Sequence, residues 1–535
     1  MQKKKTIEKL KESFGKIKDD DFRFDLIKKL FASKDNSDAL QVLSDKTCND
    51  LDFEELFMFL DRTTSRVGQQ CLYNRLRTIP NANRSIDDKK EKLIQKLTHN
   101  TDFRISVQLQ LEKLNRNDVY YISSLFQDEY EKLPKWFFVI RLLAFTSLLS
   151  LILLPLFPQM FFVFLAVFVA NIGFHYWNKR NLYKYLGSIP QLLLLNRIAS
   201  NLSKEDAFKE INPDISSSIQ VINQVRNRMS FFRLESNLQG DAEALFWGIL
   251  ELFKIAFLLE PLLLFGVLRR LDSKRKDIEA VYSFVGEVDM LISIASVRSG
   301  LNVYCLPTIN DSRILANNIY HPLIQDCVPN SIDVADKSIL LTGSNMSGKT
   351  SFIRTVGINM ITGLAINTCF AESITIPRLR VYSAIRISDD LMNSKSYYFE
   401  EVLTIKEMIE KSNSGIPNLF LLDEIFKGTN TTERIAAGKA VLSALSRNNN
   451  TVFVSTHDIE LADLLSNEYE LYHFSEIVKD HNVDFDYKLK EGKLKNRNAI
   501  RILQLNNYPN GVIEEAIEIT KTLDRIIVAN NDYKL

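Results

Sequence analysis

Three short stretches carry residue types that could act on a nucleotide. Ser338–Arg354, SILLTGSNMSGKTSFIR, sets two glycines, a lysine and a hydroxyl residue in register at Gly343, Gly348, Lys349 and Thr350. Apolar Ile339–Leu341 lead in and Phe352–Ile353 open an amphipathic pattern behind, the strand, loop and helix context of a phosphate-binding loop. In such a loop the backbone N–H groups and the helix N-terminus face phosphates, Lys349 reaches the outer ones, and the Thr350 hydroxyl helps to hold Mg2+. A glycine-rich turn with a chance lysine is the plain alternative, and two later stretches argue against it. Asn418–Arg434, NLFLLDEIFKGTNTTER, is a buried-strand pattern ending in Asp423 and Glu424. Asp423 would bind Mg2+ through water, and Glu424 would orient and polarise an attacking water. Thr451–Leu461, TVFVSTHDIEL, delivers His457 from another strand end, where it would sense the γ-phosphate or bond to that water. The chemistry that fits this set is Mg2+-assisted hydrolysis of ATP, with Glu424, Lys349 and His457 as catalytic candidates and Thr350 and Asp423 at the metal.

The elements that must position these residues belong to a chain of 535 residues, too long for one core, so two to four domains are expected. With 46% hydrophobic and 25% charged residues it reads as largely folded, and its net charge of +1 argues neither for nor against nucleic acid. Five scattered cysteines suggest neither a disulfide framework nor a metal knuckle. The first residues, MQKKKTIEKLKESFGK, lack the apolar core of a signal peptide. Residues 1–48 read as amphipathic helices and 49–134 as a helical region. From Leu142 to Tyr176 there is no Lys, Arg, Asp or Glu, and Pro155 and Pro158 divide the run. Residues 136–154 and 159–177 would then be two membrane spans of a hairpin within 135–178, in preference to a buried hairpin. Basic residues flank both ends, which would place the N-terminus and the nucleotide domain on the cytoplasmic side of the membrane. Leu245–Leu268 is broken by Glu251, Lys254, Glu260 and Pro261, and reads as a packed helix rather than a third span. Residues 179–300 continue the helical region, 301–470 take on an α/β texture, and 471–535 form a charged, partly helical extension.

Set side by side, these stretches resemble the MutS family of DNA mismatch repair ATPases. The family pattern TGPNMGGKS is similar to Thr342–Thr350, TGSNMSGKT; DEIGRGTST to Asp423–Thr431, DEIFKGTNT; and STHYHEL to Ser455–Leu461, STHDIEL. At Phe426 and Lys427 the family pattern has glycine and arginine. The resemblance implies an α/β P-loop NTPase of ABC/MutS type, preceded by a mostly helical core and lever region that here contains the expected transmembrane hairpin. It adds Asn345, Ser347 and Ser351 to the phosphate-binding set, and places His321 and Asn330, in an HP…PN-like segment, at the adenine pocket. Within Ser388–Val402, SDDLMNSKSYYFEEV, it places Ser396 where the family serine crosses a dimer interface to the partner's γ-phosphate. Phe59–Pro80 resembles the start of the family's core domain, Phe284–Ala295 the helix that returns to it, and Phe485–Ile519 the family ending. Only about 45 residues precede the helical region 49–134 that carries the core-like segment, too few for a mismatch-reading domain.

The implied function is a membrane-attached homodimeric ATPase with composite ATP sites, bound to DNA (mismatched or branched) and to a bilayer through residues 136–177. A transport ATPase and an ATP-locked scaffold with little turnover are the alternatives; two spans are few for a transport path, and intact Lys349, Asp423, Glu424 and His457 argue against a scaffold.

Overall fold

The computed structural model describes residues 2–81, 86–128, 136–181, 183–225, 229, 241–310, 313–344, 346–386, 397–479, 482–494, 500, 503–504 and 508–532. Its residues cluster into two units, one of 1–39 with 57–302 and the other of 40–56 with 303–535.

The first unit is helical. Its long helix Arg275–Gly300 is buried along most of its length and packs against Arg66–Arg77. The start of Arg66–Arg77 explains why the family-like LDRTTSRVG stretch has its composition. Ser65 caps the helix by accepting from Gly68 N at 3.0 Å, and buried Asp289 accepts from Thr64 N, Ser65 N and Ser65 Oγ at 2.9, 2.7 and 2.6 Å. A carboxylate from the long helix that holds the N-cap residue and the one before it joins the two elements at a fixed register.

The uncharged run folds as helices Phe137–Leu153 and Met160–Asn181, with Trp136 against Phe174 and Trp177 at their shared end. The expectation of a multi-pass membrane protein is corrected here. The first helix has 17 residues, about 25 Å, short of a hydrocarbon layer of roughly 30 Å. Among the described residues, two helices are long and apolar enough to cross a membrane, Met160–Trp177 and Arg275–Gly300, and the second is a core helix, 83% buried. Met160–Asn181 is also tied to protein: Asn171 Nδ2 donates to Ala256 O at 2.8 Å, and buried His175 meets Glu251 at 3.0 Å, beside Lys254 and Glu260. The bilayer contact expected of residues 136–177 falls with that reading, although Phe138, Phe145 and Phe162 of these helices are exposed. Leu245–Leu268 folds as parts of two helices, Asp241–Phe257 and Leu259–Asp272, and the break falls at Leu258 (φ 46°) and not at Pro261, which sits in the first turn of the second, where a missing N–H costs nothing.

The second unit is α/β. Its elements used below are α1 (Asp45–Asp50), β1 (Ser338–Thr342), α2 (Lys349–Ile366), β2 (Arg380–Ala384), α3 (Tyr397–Ser412), β3 (Asn418–Asp423), α4 (Thr431–Leu445), β4 (Thr451–Ser455), β5 (Tyr469–His473) and β6 (Lys490–Glu491). They form a sheet of order β6-β5-β1-β4-β3-β2, parallel except for β6. β1 is buried at every position, and β3 and β4 nearly so, as expected of parallel strands covered on both faces. A smaller four-stranded sheet runs Thr308–Asn310, Ser373–Pro377, Ile314–Ile319 and Asn330–Val334.

Candidate functional site

Parallel pairing brings the three sequence stretches to one sheet edge. β4 lies between β1 and β3, with Ser455 opposite both Leu341 and Asp423. The strand ends are then stitched together: Glu424 N donates to Ser455 O at 2.9 Å, and Thr456 N to Leu341 O at 3.0 Å.

The loop from β1 to α2 turns at Gly348, whose φ of 106° lies where side chains are rarely tolerated. Lys349 Nζ donates to the carbonyls of Gly343 and Ser344, both at 2.9 Å, and burial lowers its pKa. Ser347 Oγ donates to Ser344 O at 2.8 Å, so this side chain shapes the loop from within. Thr350 Oγ1 donates to Asp423 Oδ2 at 2.6 Å, and Ser455 Oγ donates to Asp423 Oδ1. A hydroxyl and a carboxylate already in contact, beside the glycine-bearing loop between β1 and α2, are a hard oxygen pair that fits Mg2+.

Glu424 is held from two directions. His457 Nε2 lies 2.7 Å from Oε1, and Lys427 pairs with Oε2. Burial alone would raise its pKa, but the bonds from His457 and Lys427 outweigh this and hold it at about 2. Arg434 fixes the loop after His457 through a two-pronged bond to Asp458 at 2.7 and 2.8 Å.

A cavity of about 540 Å³ opens onto these groups. Lys349, Thr350, Ser351 and Glu424 form its polar side; Ile324, Val328, Phe474 and Tyr487 form an apolar one. The two adenine-pocket expectations come out differently. Asn330 lines the cavity, but its amide is engaged with the chain: Nδ2 donates to Tyr487 O at 3.0 Å, and Oδ1 accepts from Leu489 N at 2.8 Å. His321 is not among the lining residues. It is buried, its Nδ1 accepts from Leu323 N at 3.3 Å, and burial, with Arg354 nearby, lowers its pKa to about 4. Asn345 and Ser396 lie outside the described residues.

Sequence reasoning missed Tyr487, Phe474 and the grip of Ser455 on Asp423. Tyr487 (φ 51°) is the aromatic that a base-sized ring would meet, and it stands directly over Gly348, 3.3 Å from where a Cβ there would lie. Its one signal in the sequence was its place in the stretch Phe485–Ile519 that resembles the family ending.

Residues 339–524 match the family model MutS domain V. The chain carries a MutS domain V. The "DNA mismatch repair protein MutS" of Oceanobacillus iheyensis is 32% identical over 263 residues, which is 46% of this chain and 30% of that protein. The proteins of the same name from Listeria monocytogenes serotype 4a and Petrotoga mobilis are each 32% identical, over 271 and 273 residues. This MutS-like chain thus spans about a third of the length of the curated relatives it matches. Relatives named for DNA repair also weigh against the multi-pass membrane localisation corrected above.

Proposed function

We propose that this MutS-like chain hydrolyses ATP to ADP and phosphate and couples that cycle to DNA. One observation carries the reading: Lys349, Thr350, Asp423, Glu424 and His457, drawn from three distant stretches, converge on one sheet edge beside one cavity. Thr350 and Asp423 would hold Mg2+, which neutralises phosphate charge when bound. Lys349, the loop N–H groups and the N-terminus of α2 bind and orient the phosphates. Glu424, braced by His457, accepts a hydrogen bond from the water and points its oxygen at the γ-phosphorus. The new P–O bond forms as the bond to the β–γ bridging oxygen breaks, and ADP leaves. A carboxylate with a pKa of about 2 is a poor final home for the proton, so Glu424 orients the water and the released proton passes to phosphate or solvent. Tyr487 and Phe474 would flank the base.

The DNA half of the proposal comes from the names of the relatives; a homodimer in which Ser396 reaches the partner's γ-phosphate comes from the resemblance of Ser388–Val402 to the family's signature loop. ATP turnover by the full chain, with and without homoduplex, mismatched and branched DNA, tests both halves, with Glu424→Ala as control. Turnover that DNA raises and the substitution abolishes supports the reading. Turnover indifferent to every DNA removes the DNA half, and nucleotide-dependent dimers without turnover would leave a scaffold.

A further inference from the structure

On the ATPase reading above, we propose that Phe426 is a positioning residue: its ring bolts the loop carrying Glu424 to α3, so that α3 sets where the water-orienting carboxylate stands. The loop between β3 and α4 runs through two positive φ values, 52° at Glu424 and 60° at Phe426. A bulky aromatic seldom occupies that region, and such strain persists only where the surroundings over-determine it. The resembling family pattern has glycine at this position, and glycine would take the same φ without strain. The backbone therefore does not call for the ring; its contacts do.

Several of those contacts lead to α3. The Phe426 ring is buried in one cluster with Ile405 and Met408 of α3, and its centroid lies 6.3 Å from that of Tyr398. Phe426 N donates to Glu401 Oε1 at 2.5 Å, and burial raises the Glu401 pKa. Two residues on, a Cβ at Gly428 would stand 2.9 Å from Tyr398 Cβ, so glycine is what lets the loop close on the helix. Residues 398, 401, 405 and 408 recur at helical spacing and present one face of α3 to the loop. On its other side the loop is tied to β4 through Glu424 N and Ser455 O. Glu424 thus stands between a fixed strand end and a helix, and the buried ring of Phe426 is the side-chain link through which a shift of α3 reaches it, beside the backbone bond to Glu401.

The test uses the full chain and four variants: Glu424→Gln, Phe426→Gly, Tyr398→Ala and the Phe426→Gly/Tyr398→Ala pair. ATP turnover, affinity for a fluorescent ATP analogue and thermal melting are measured on each. Phe426→Gly should keep analogue affinity within about twofold while kcat falls about tenfold or more, because a small misplacement of a catalytic group is costly. Tyr398→Ala, at a half-exposed site that leaves folding intact, should lower kcat less, and the pair should fall no further than Phe426→Gly alone. A parent chain without turnover, or one whose turnover survives Glu424→Gln, sinks the ATPase reading itself. Parental kcat in Phe426→Gly with Glu424→Gln inactive overturns the positioning role alone. So does a pair whose losses multiply while affinity and melting temperature fall together.

Discussion

Asp423 is gripped by two hydroxyls, from Thr350 in the first turn of α2 and from Ser455 at the end of β4. Of these Ser455 is the one whose loss leaves the phosphate loop intact. Ser455→Ala should therefore weaken Mg2+ binding at the nucleotide site selectively, moving the Mg2+ midpoint up about tenfold with little change in melting temperature. Titrating Mg2+ against a fluorescent ATP analogue reads this; an unchanged midpoint would show that Thr350 alone aims the carboxylate. His321 makes a prediction of a different kind. Its folded pKa of about 4 lies below the ordinary value of 6.5, so unfolded chains take up a proton that the folded site refuses. The stability it supports is complete above pH 6.5 and is lost as pH falls towards 4, about 3 kcal/mol in all. Asp289 works oppositely: burial raises its pKa to about 6, so its contribution is present at low pH and lost as pH rises through 6. The difference between the parent and His321→Gln isolates the histidine: between pH 7 and 4.5 the urea midpoint should fall more steeply in the parent. Parallel slopes would mean that His321 titrates normally. Residues on strand ends were legible in the sequence because a short apolar run fixes both their element and their edge. Asn330 was legible as a pocket residue through the resemblance, but its clamping bonds and the place of Tyr487 were not, because only tertiary contact shows that the asparagine amide holds the chain and that the tyrosine faces the cavity.

At the scale of elements, the piece that local pattern could not place is α1. Residues 40–56 sit far upstream of the nucleotide motifs, yet they are built into the same unit. Gln41 bonds both ways with the Val381 backbone of β2 at 2.7 Å, and Arg380 Nε donates to Leu40 O at 3.0 Å. Buried Asp50, at the end of α1, accepts from Ser383 Oγ, Ile385 N and Arg386 N at 2.6, 3.0 and 2.8 Å. Asp52 (φ 51°) pairs with Arg354 of α2 and with Arg386 at 3.1 and 2.6 Å. The chain leaving β2 is thus held by α1 just before residues 387–396. Asp50→Ala would strand two buried donors and a part-buried one at once, and should cost about 3 kcal/mol or more. Asp50→Asn, which keeps one acceptor oxygen, should cost less. Denaturation of both variants checks the order, and an Asp50→Ala protein as stable as the parent would show that water replaces the carboxylate. The helices of the first unit were legible by their periodicity, but their breaks were not: the left-handed residue is Leu258, which no propensity marks, while Pro261 fits quietly into a first turn. Likewise, counting uncharged residues from Leu142 to Tyr176 could not reveal that Asn171 and His175 bond to a neighbouring helix.

For the whole molecule, the consequence is that the nucleotide unit is discontinuous in sequence. A domain drawn from residue 301 onward, as texture alone suggests, leaves out residues 40–56 and with them buried Leu43, Cys48 and Leu51. The Leu51 side chain reaches to within 3.1 Å of where a Cβ on Gly357 of α2 would lie, so it fills the surface of the helix that follows the phosphate loop. Full burial of a leucine contributes about 1.5–3 kcal/mol, and a domain's net stability is only about 5–15 kcal/mol. Losing these side chains together with Asp50 and the Gln41 pairing removes a large part of that margin. Residues 303–535 expressed alone should accordingly melt broadly and bind an ATP analogue weakly, although every residue lining the nucleotide cavity is present. Joining 40–56 to the same fragment through a flexible linker should restore a sharp transition and tighter binding. A fragment of 303–535 that already melts sharply, and gains nothing from the added segment, would show α1 to be a passenger on a unit complete without it. Recovery on adding the segment would show that its residues stabilise the fold around the phosphates, even though none of them touches the nucleotide.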